Sequence, residues 1–198
     1  MKKVDVFSEN IFVVENEKGL LGLMTEYGHM ILECKYKYIG KLTCKVAVFV
    51  SKGKYGIINE KGEIIVPAIY NEIYSFIENI ACVKIKKKYG YIDITGKEIT
   101  DVIYDEASLK YTNGFAEVCI NSKWSFIDKN GLLLTDFIYD EISHFTKFNY
   151  AVVKKNNKFG IIDKNGKEVI ECKYDDIKIY ECDRKPTVIL ENSKIIKL

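Results

Sequence analysis

The chain has 198 residues, of which 47% are hydrophobic and 29% charged, so it holds ample material for a core and enough charge to stay in solution. No apolar run approaches the roughly 20 residues that a membrane-crossing helix needs. The net charge of +2, built with a single arginine (Arg184), lacks the arginine-rich basic stripe of most nucleic-acid binders.

The first ten residues, Met1 to Asn10, carry two lysines but no continuous apolar stretch, and Asp5, Glu9 and Asn10 argue against a secretory signal. The expectation is a cytoplasmic protein. A strand, Ile11-Phe12-Val13-Val14, opens the first of five copies of one phrase. The worn first copy is Leu21-Gly22-Leu23-Met24. It returns as Lys54-Tyr55-Gly56-Ile57-Ile58-Asn59, Lys88-Tyr89-Gly90-Tyr91-Ile92-Asp93, Lys123-Trp124-Ser125-Phe126-Ile127-Asp128 and Lys158-Phe159-Gly160-Ile161-Ile162-Asp163. The glycines closing the following turn, Gly28, Gly62, Gly96, Gly131 and Gly166, are spaced by 34, 34, 35 and 35 residues. Tyr36, Tyr70, Tyr104, Tyr139 and Tyr174 keep the same spacing. A period of this length indicates a tandem array of repeats. The added residue in later copies lies in the connector, because Ile39 to Ala47 and Ile73 to Ala81 span eight residues whereas Ala107 to Ala116 and Ile142 to Ala151 span nine.

Each unit holds three short apolar runs, in the second copy Val46–Val50, Tyr55–Ile58 and Glu63–Val66. Short runs rich in β-branched and aromatic residues and bounded by Gly, Asn and Lys predict strands. Asn59-Glu60-Lys61-Gly62 and its copies predict hairpin turns, since Asp or Asn caps the backbone and Gly accepts positive φ. A tail follows, as in Ile138-Tyr139-Asp140-Glu141-Ile142, whose Tyr and Ile are expected to plug the core while the acids face water. A further bulky residue comes three positions on, at Leu42, Phe76, Phe145 and Tyr180. No segment has apolar residues at helical spacing.

The predicted fold is all-β: five three-stranded meanders of 34–35 residues in one repeat domain. Units run at about 11–44, 45–78, 79–113, 114–148 and 149–183, followed by a terminal cap at 184–198. One unit cannot bury its apolar face alone, so neighbours stack. Because a three-stranded propeller blade is unusual, an open superhelical solenoid is expected, with a closed propeller-like ring as the alternative.

The aromatic-Gly phrase, the hairpin Gly and the downstream Tyr-Asp (Tyr104-Asp105, Tyr139-Asp140, Tyr174-Asp175) resemble the WG-containing repeat, or KWG repeat, of bacterial proteins. The resemblance runs from about Phe12 to Ile177. It departs from the pattern in having only one tryptophan, Trp124, followed by Ser125 in place of glycine. The resemblance implies a β-rich interaction scaffold and no catalytic residues.

Residue by residue, the chemistry points the same way. The six cysteines (Cys34, Cys44, Cys82, Cys119, Cys172 and Cys182) show no metal-ligand spacing, and Cys34 and Cys172 share a slot with Ala68, Val102 and Phe137. They read as reduced packing residues. The recurring acidic pairs serve the repeat rather than a catalytic constellation, which needs one set of unlike roles. No cofactor, metal or enzymatic activity is expected. The lysine cluster around Lys86 and Lys87 reads as a solvated hairpin guarding a strand edge, with an acidic partner or a phosphate backbone as the functional alternative. Where the phrase breaks, Tyr111, His144, Phe148 and Arg184 join those lysines as candidate partner-binding residues. The expected function is a protein-binding module, acting as adaptor or inhibitor. A glycan- or cell-wall-binding array and, more weakly, nucleic-acid binding are the alternatives.

Overall fold

The computed structural model describes residues 1–181, 186–190 and 195–197. Every regular element among them is a strand. Two compact units partition the chain, residues 1–102 and 103–198.

The first unit begins with a sheet of β1 (Lys2–Ser8), β2 (Ile11–Glu15), β3 (Leu21–Thr25) and β4 (Met30–Tyr36). The second sheet is β5 (Tyr38–Ile39), β6 (Val46–Ser51), β7 (Lys54–Asn59) and β8 (Ile64–Tyr70). The third contains β9 (Glu72–Ile73), β10 (Ile80–Ile85), β11 (Lys88–Asp93) and β12 (Glu98–Tyr104), whose last two residues lie past the unit boundary. The second unit has sheets of β13 (Glu106–Ala107), β14 (Phe115–Ile120) and β15 (Lys123–Asp128), then of β16 (Glu141–Ile142), β17 (Tyr150–Lys155), β18 (Lys158–Asp163) and β19 (Glu168–Tyr174). A final sheet holds β20 (Ile177–Glu181), β21 (Pro186–Leu190) and β22 (Ile195–Lys197).

The all-β tandem array is therefore present, and each three-stranded meander gains a strand. The acid-aliphatic dipeptide of the preceding tail adds a two-residue edge strand, as where Glu72 and Ile73 pair with Lys84 and Val83. Successive repeats interlock within each unit through this exchange, because the tail completes the sheet of the next repeat. In the first sheet β1 takes the tail's place, pairing with β2 through two irregularities and burying only Phe7 deeply.

The apolar runs lack alternation because both faces of a sheet are covered. In the second sheet, Ala47, Phe49 and Ile58 pack with Leu23, Tyr36 and Ile39 on one side. On the other side Val46, Ile57 and Val66 pack with Ile73, Phe76 and Ile92. The second unit repeats this: Phe126, Tyr139 and Phe145 meet Ala151, Val153 and Ile162, while Ile161 and Ile170 meet Ile177, Val188 and Leu190. Of the tail tyrosines, Tyr36, Tyr70, Tyr104 and Tyr139 are buried, as expected of core plugs, whereas Tyr174 is half-buried.

Two kinds of turn hold the register. Lys52-Gly53, Asn121-Ser122 and Asn156-Asn157 form two-residue links with φ between +49° and +74°, the left-handed pair of a type I′ hairpin. In the second kind an Asx side chain caps the loop: Asp93 Oδ1 accepts the Thr95 and Lys97 amides at 2.8 and 3.0 Å. Asn59, Asp128 and Asp163 do the same. Burial alone would raise the Asp93 carboxyl, but hydrogen bonds from the Thr95 hydroxyl and these amides outweigh it and hold the group below its usual range.

Opposite the first glycine of the phrase, the third strand bulges. Tyr55 pairs with Tyr70 but Ile57 pairs with Val66, so two extra residues of β8 lie across from Gly56. A Cβ on Gly22, Gly56, Gly90 or Gly160 would stand 2.5, 2.6, 2.8 or 2.6 Å from a carbonyl oxygen of that bulged strand. Only glycine lets the backbones approach this closely. Ser125 is the exception in the sequence, and the structure departs at the same place. Its third strand is missing, replaced by isolated bridges Trp124–Tyr139 and Ile127–Leu133. The Ser125 hydroxyl donates instead to the Thr135 carbonyl at 2.6 Å.

Candidate functional site

The repeated acids are structural. The expectation that both face water holds only in part, because in three copies the Asn or Asp after the tail tyrosine caps the next hairpin. Asn71, Asp105 and Asp140 accept the amides of Lys86, Asn121 and Asn156 at 2.7, 2.9 and 2.8 Å. Asp140 also pairs with Lys123, and this bond, with the Asn156 amide, holds its carboxyl below the usual range. The second acid joins the tail strand to its neighbour: Glu72 and Glu141 pair with Lys84 and Lys154 at 3.2 and 2.7 Å. Each of these lysines also lies over a cross-strand aromatic, Tyr89 or Phe159, at 5.0 and 5.1 Å. Edge lysines are thus tied into a Glu–Lys–aromatic stack. Lys86 and Lys87 remain exposed as the hairpin loop between β10 and β11.

Tyr111 is not a surface anchor. It is 7% exposed and its hydroxyl donates to the Asp128 carbonyl at 3.1 Å. It fills the plug slot of Phe76 and Phe145, displaced by the connector's extra residue. That slip hid it in the sequence. The neighbouring Asn113-Gly114, also read as a break in the pattern, is a tight turn: its flanks Thr112 and Phe115 bridge, as do Thr43 with Val46 and Ile77 with Ile80 around Cys44-Lys45 and Glu78-Asn79. In the next repeat the extra residue falls after the plug. There Phe148 sits half-buried in a wider turn closed by Thr146 and Tyr150, with the Lys147 ammonium 5.1 Å from its ring centroid. Arg184 lies outside the described residues, as does Cys182.

His144 belongs to a cluster that the sequence showed only in part. Its Nδ1 lies 2.7 Å from Glu117 Oε1, and Ser108 Oγ bonds the other carboxylate oxygen. Glu117 is 4% exposed and stands in the slot of Val48, Cys82 and Val152. The carboxylate bridges serine and imidazole, the reverse of the order in which an imidazole activates a serine. Its direct role is to satisfy a buried charge. Glu117→Val should leave unfolding free energy unchanged or raise it by up to about 1 kcal/mol, whereas His144→Ala should lower it by about 1–2 kcal/mol by stripping a partner from a buried carboxylate. Urea denaturation of both and of the double variant checks this: the His144 loss must vanish in the Glu117→Val background.

Cys82 and Cys119 are buried within strands, as expected of small apolar residues, and burial pushes the Cys82 thiol up to about 12. Among the described residues no group of three or more His, Cys, Asp or Glu gathers as a metal site. Among the described residues no helix is long and apolar enough to cross a membrane.

The feature least explained by the repeat lies beside Ser125. Leu132 and Leu133 are 67% and 50% exposed, at positions held by Glu63-Ile64, Lys97-Glu98 and Lys167-Glu168 in the regular copies. Because the third strand is absent here, the two leucines sit on an irregular segment bordering β15.

A family model described as the WG containing repeat matches four successive stretches, residues 55–89, 89–124, 124–159 and 159–184. No curated protein matches the sequence. Among solved structures, the crystal structure of the eukaryotic initiation factor is 12% identical at a TM-score of 0.47, covering 94% of this chain and 58% of that one. The chain thus spans less than two thirds of that protein's length. Kluyveromyces lactis Hsv2p is 12% identical at a TM-score of 0.40, covering 96% and 71%. The computationally designed Ika4 protein is 14% identical at 0.38, covering 64% and 90%.

Proposed function

The chain belongs to the WG-containing repeat family, and on that premise we propose that it is a non-enzymatic, cytoplasmic binding module that docks a protein partner as an adaptor or inhibitor. One observation carries the reading: Leu132 and Leu133 expose two adjoining aliphatic side chains where every other copy carries at most one, on a segment that, among the described residues, has left its sheet. Large aliphatic groups in water contribute stability only when something covers them. The segment lies beside Ser125, so the departure in sequence, the departure in local structure and the leucine pair fall together. The repeated acids and lysines, by contrast, are occupied in holding hairpins and edges, and supply a soluble frame.

The test is the variant Leu132→Lys/Leu133→Glu, which installs residue types that regular copies carry. It should fold with an unchanged urea midpoint. A partner co-purified with the parent chain, then purified and rebound, should lose at least tenfold in affinity, about 1.4 kcal/mol. Equal affinity for both chains would remove these leucines from the interface and the proposal with them.

A further inference from the structure

The second sheet departs from the third and fifth at a different place. Where Glu72, Lys84 and Tyr89 make the Glu–Lys–aromatic stack of the third sheet, the second sheet has Tyr38, Val50 and Tyr55. Tyr74, whose hydroxyl bonds Glu72 at 2.5 Å, corresponds to Gly40: each donates its amide to the first central strand, Gly40 to the Val48 carbonyl and Tyr74 to the Cys82 carbonyl. The ion pair and the side chain that would cover this region are therefore both missing.

The result is a cleft of 800 Å³ within the first unit, reaching from the second sheet to the Ile73–Phe76 segment. The corresponding positions of the fifth sheet, with Glu141, Ser143, Lys154 and Phe159 in place, line only 170 Å³. The larger volume falls within the ~300–1,000 Å³ of small-ligand sites. Val46, Val48 and Val50 form an apolar floor, and Tyr38, Tyr55 and Tyr74 stand as aromatic walls. Tyr38 is 51% exposed although aromatic, with its ring against Gly40, where a Cβ would lie 3.2 Å from the ring and its hydroxyl. Lys41, Thr43 and Ser75 add an exposed polar rim.

The geometry points to a saccharide-binding cleft, taking a neutral or acidic pyranose. A pyranose has one apolar C–H face and a rim of hydroxyls, which suits tyrosine walls that are apolar in body and polar at the tip. The lining includes no carboxylate and one ammonium, Lys41, so cationic ligands are disfavoured. A plain aromatic ligand would use the walls and leave the polar rim idle. This inference stands apart from the protein docking proposed above and uses none of its residues.

The experiment is an NMR amide titration of the full chain with N-acetylglucosamine, its β-1,4-linked tetramer and glucuronic acid. At least one should give saturable shifts at Gly40, Tyr74 and Ser75 with a dissociation constant below ~1 mM. The variant Tyr38→Glu/Val50→Lys recreates the ion pair of the third and fifth sheets at the corresponding positions, and should fold while binding at least tenfold more weakly. No saturable shift at ~10 mM of any of the three sugars, or equal binding by the double variant, overturns the proposal. So does saturable binding of a proline-rich peptide in place of all three sugars.

Discussion

Replacing Gly96 with alanine is expected to lower the unfolding free energy by about 3 kcal/mol, from two separate causes. Gly96 closes its Asx-capped turn at a φ of +82°, where an L side chain costs about 1 kcal/mol. The turn also leans on the preceding sheet, so that a Cβ would lie 2.3 Å from Val66 Cγ2. Val66 is buried and β-branched, hence stiff, and relieving that overlap costs a further ~1–3 kcal/mol. Gly28 separates the two causes. Its φ is +87°, but nothing lies within 4 Å of its added Cβ. Gly28→Ala should therefore cost only about 1 kcal/mol. Urea denaturation of the two variants decides: equal losses would mean that the turn glycines serve conformation alone and that the contact between repeats is slack.

Gly56→Ser transplants the one irregular copy of the phrase into a regular repeat. The new Cβ would meet the Val66 carbonyl oxygen and the Phe49 ring, each at 2.6 Å. Phe49 is 2% exposed and locked edge-on against Tyr36, with ring centroids 5.0 Å apart. With neither neighbour free to yield, the expected loss is about 2–4 kcal/mol. Amide exchange protection should fall across β8, as that strand leaves its bulged pairing. The reverse change, Ser125→Gly, gives up the hydroxyl bond to Thr135 but removes the obstacle. Its net effect should be within about 1 kcal/mol, with protection rising between Leu133 and Tyr139. If Gly56→Ser leaves β8 protected, the serine is not the cause of the missing strand in the fourth repeat.

Much of this architecture is written in local patterns. Turn glycines, Asx caps and the buried tail tyrosines follow from residue type and spacing, because a left-handed φ, a short side-chain acceptor and a large apolar group are local requirements. Burial of Cys82 and Cys119 follows in the same way. Tyr111 shows where the approach slips. Its chemistry suits either a plug or an anchor, and only the position of one inserted residue, before the plug in one connector and after it in the next, tells them apart. The tail acids were legible as repeated but not as hairpin caps, since each cap joins residues about 15 apart through a neighbouring repeat.

The candidate sites divide along the same line. Ser125 and the exposed leucine pair are visible in the sequence once the copies are aligned, although their consequence needs the bulge geometry that glycine alone permits. The Tyr38–Gly40 cleft is less visible. It arises because three slots, Tyr38 and Gly40 on a tail and Val50 on the strand beside it, lose charge or bulk together.

By itself the sequence determined the period, the all-β class, the turns and the family, since each depends on interactions within a few residues or on their repetition. Tertiary structure alone decided that the tail supplies a strand to the next sheet, that Glu117 is buried against His144, and which aromatics are covered. Those outcomes depend on packing between repeats, where distance in space is set by the stack and not by separation along the chain.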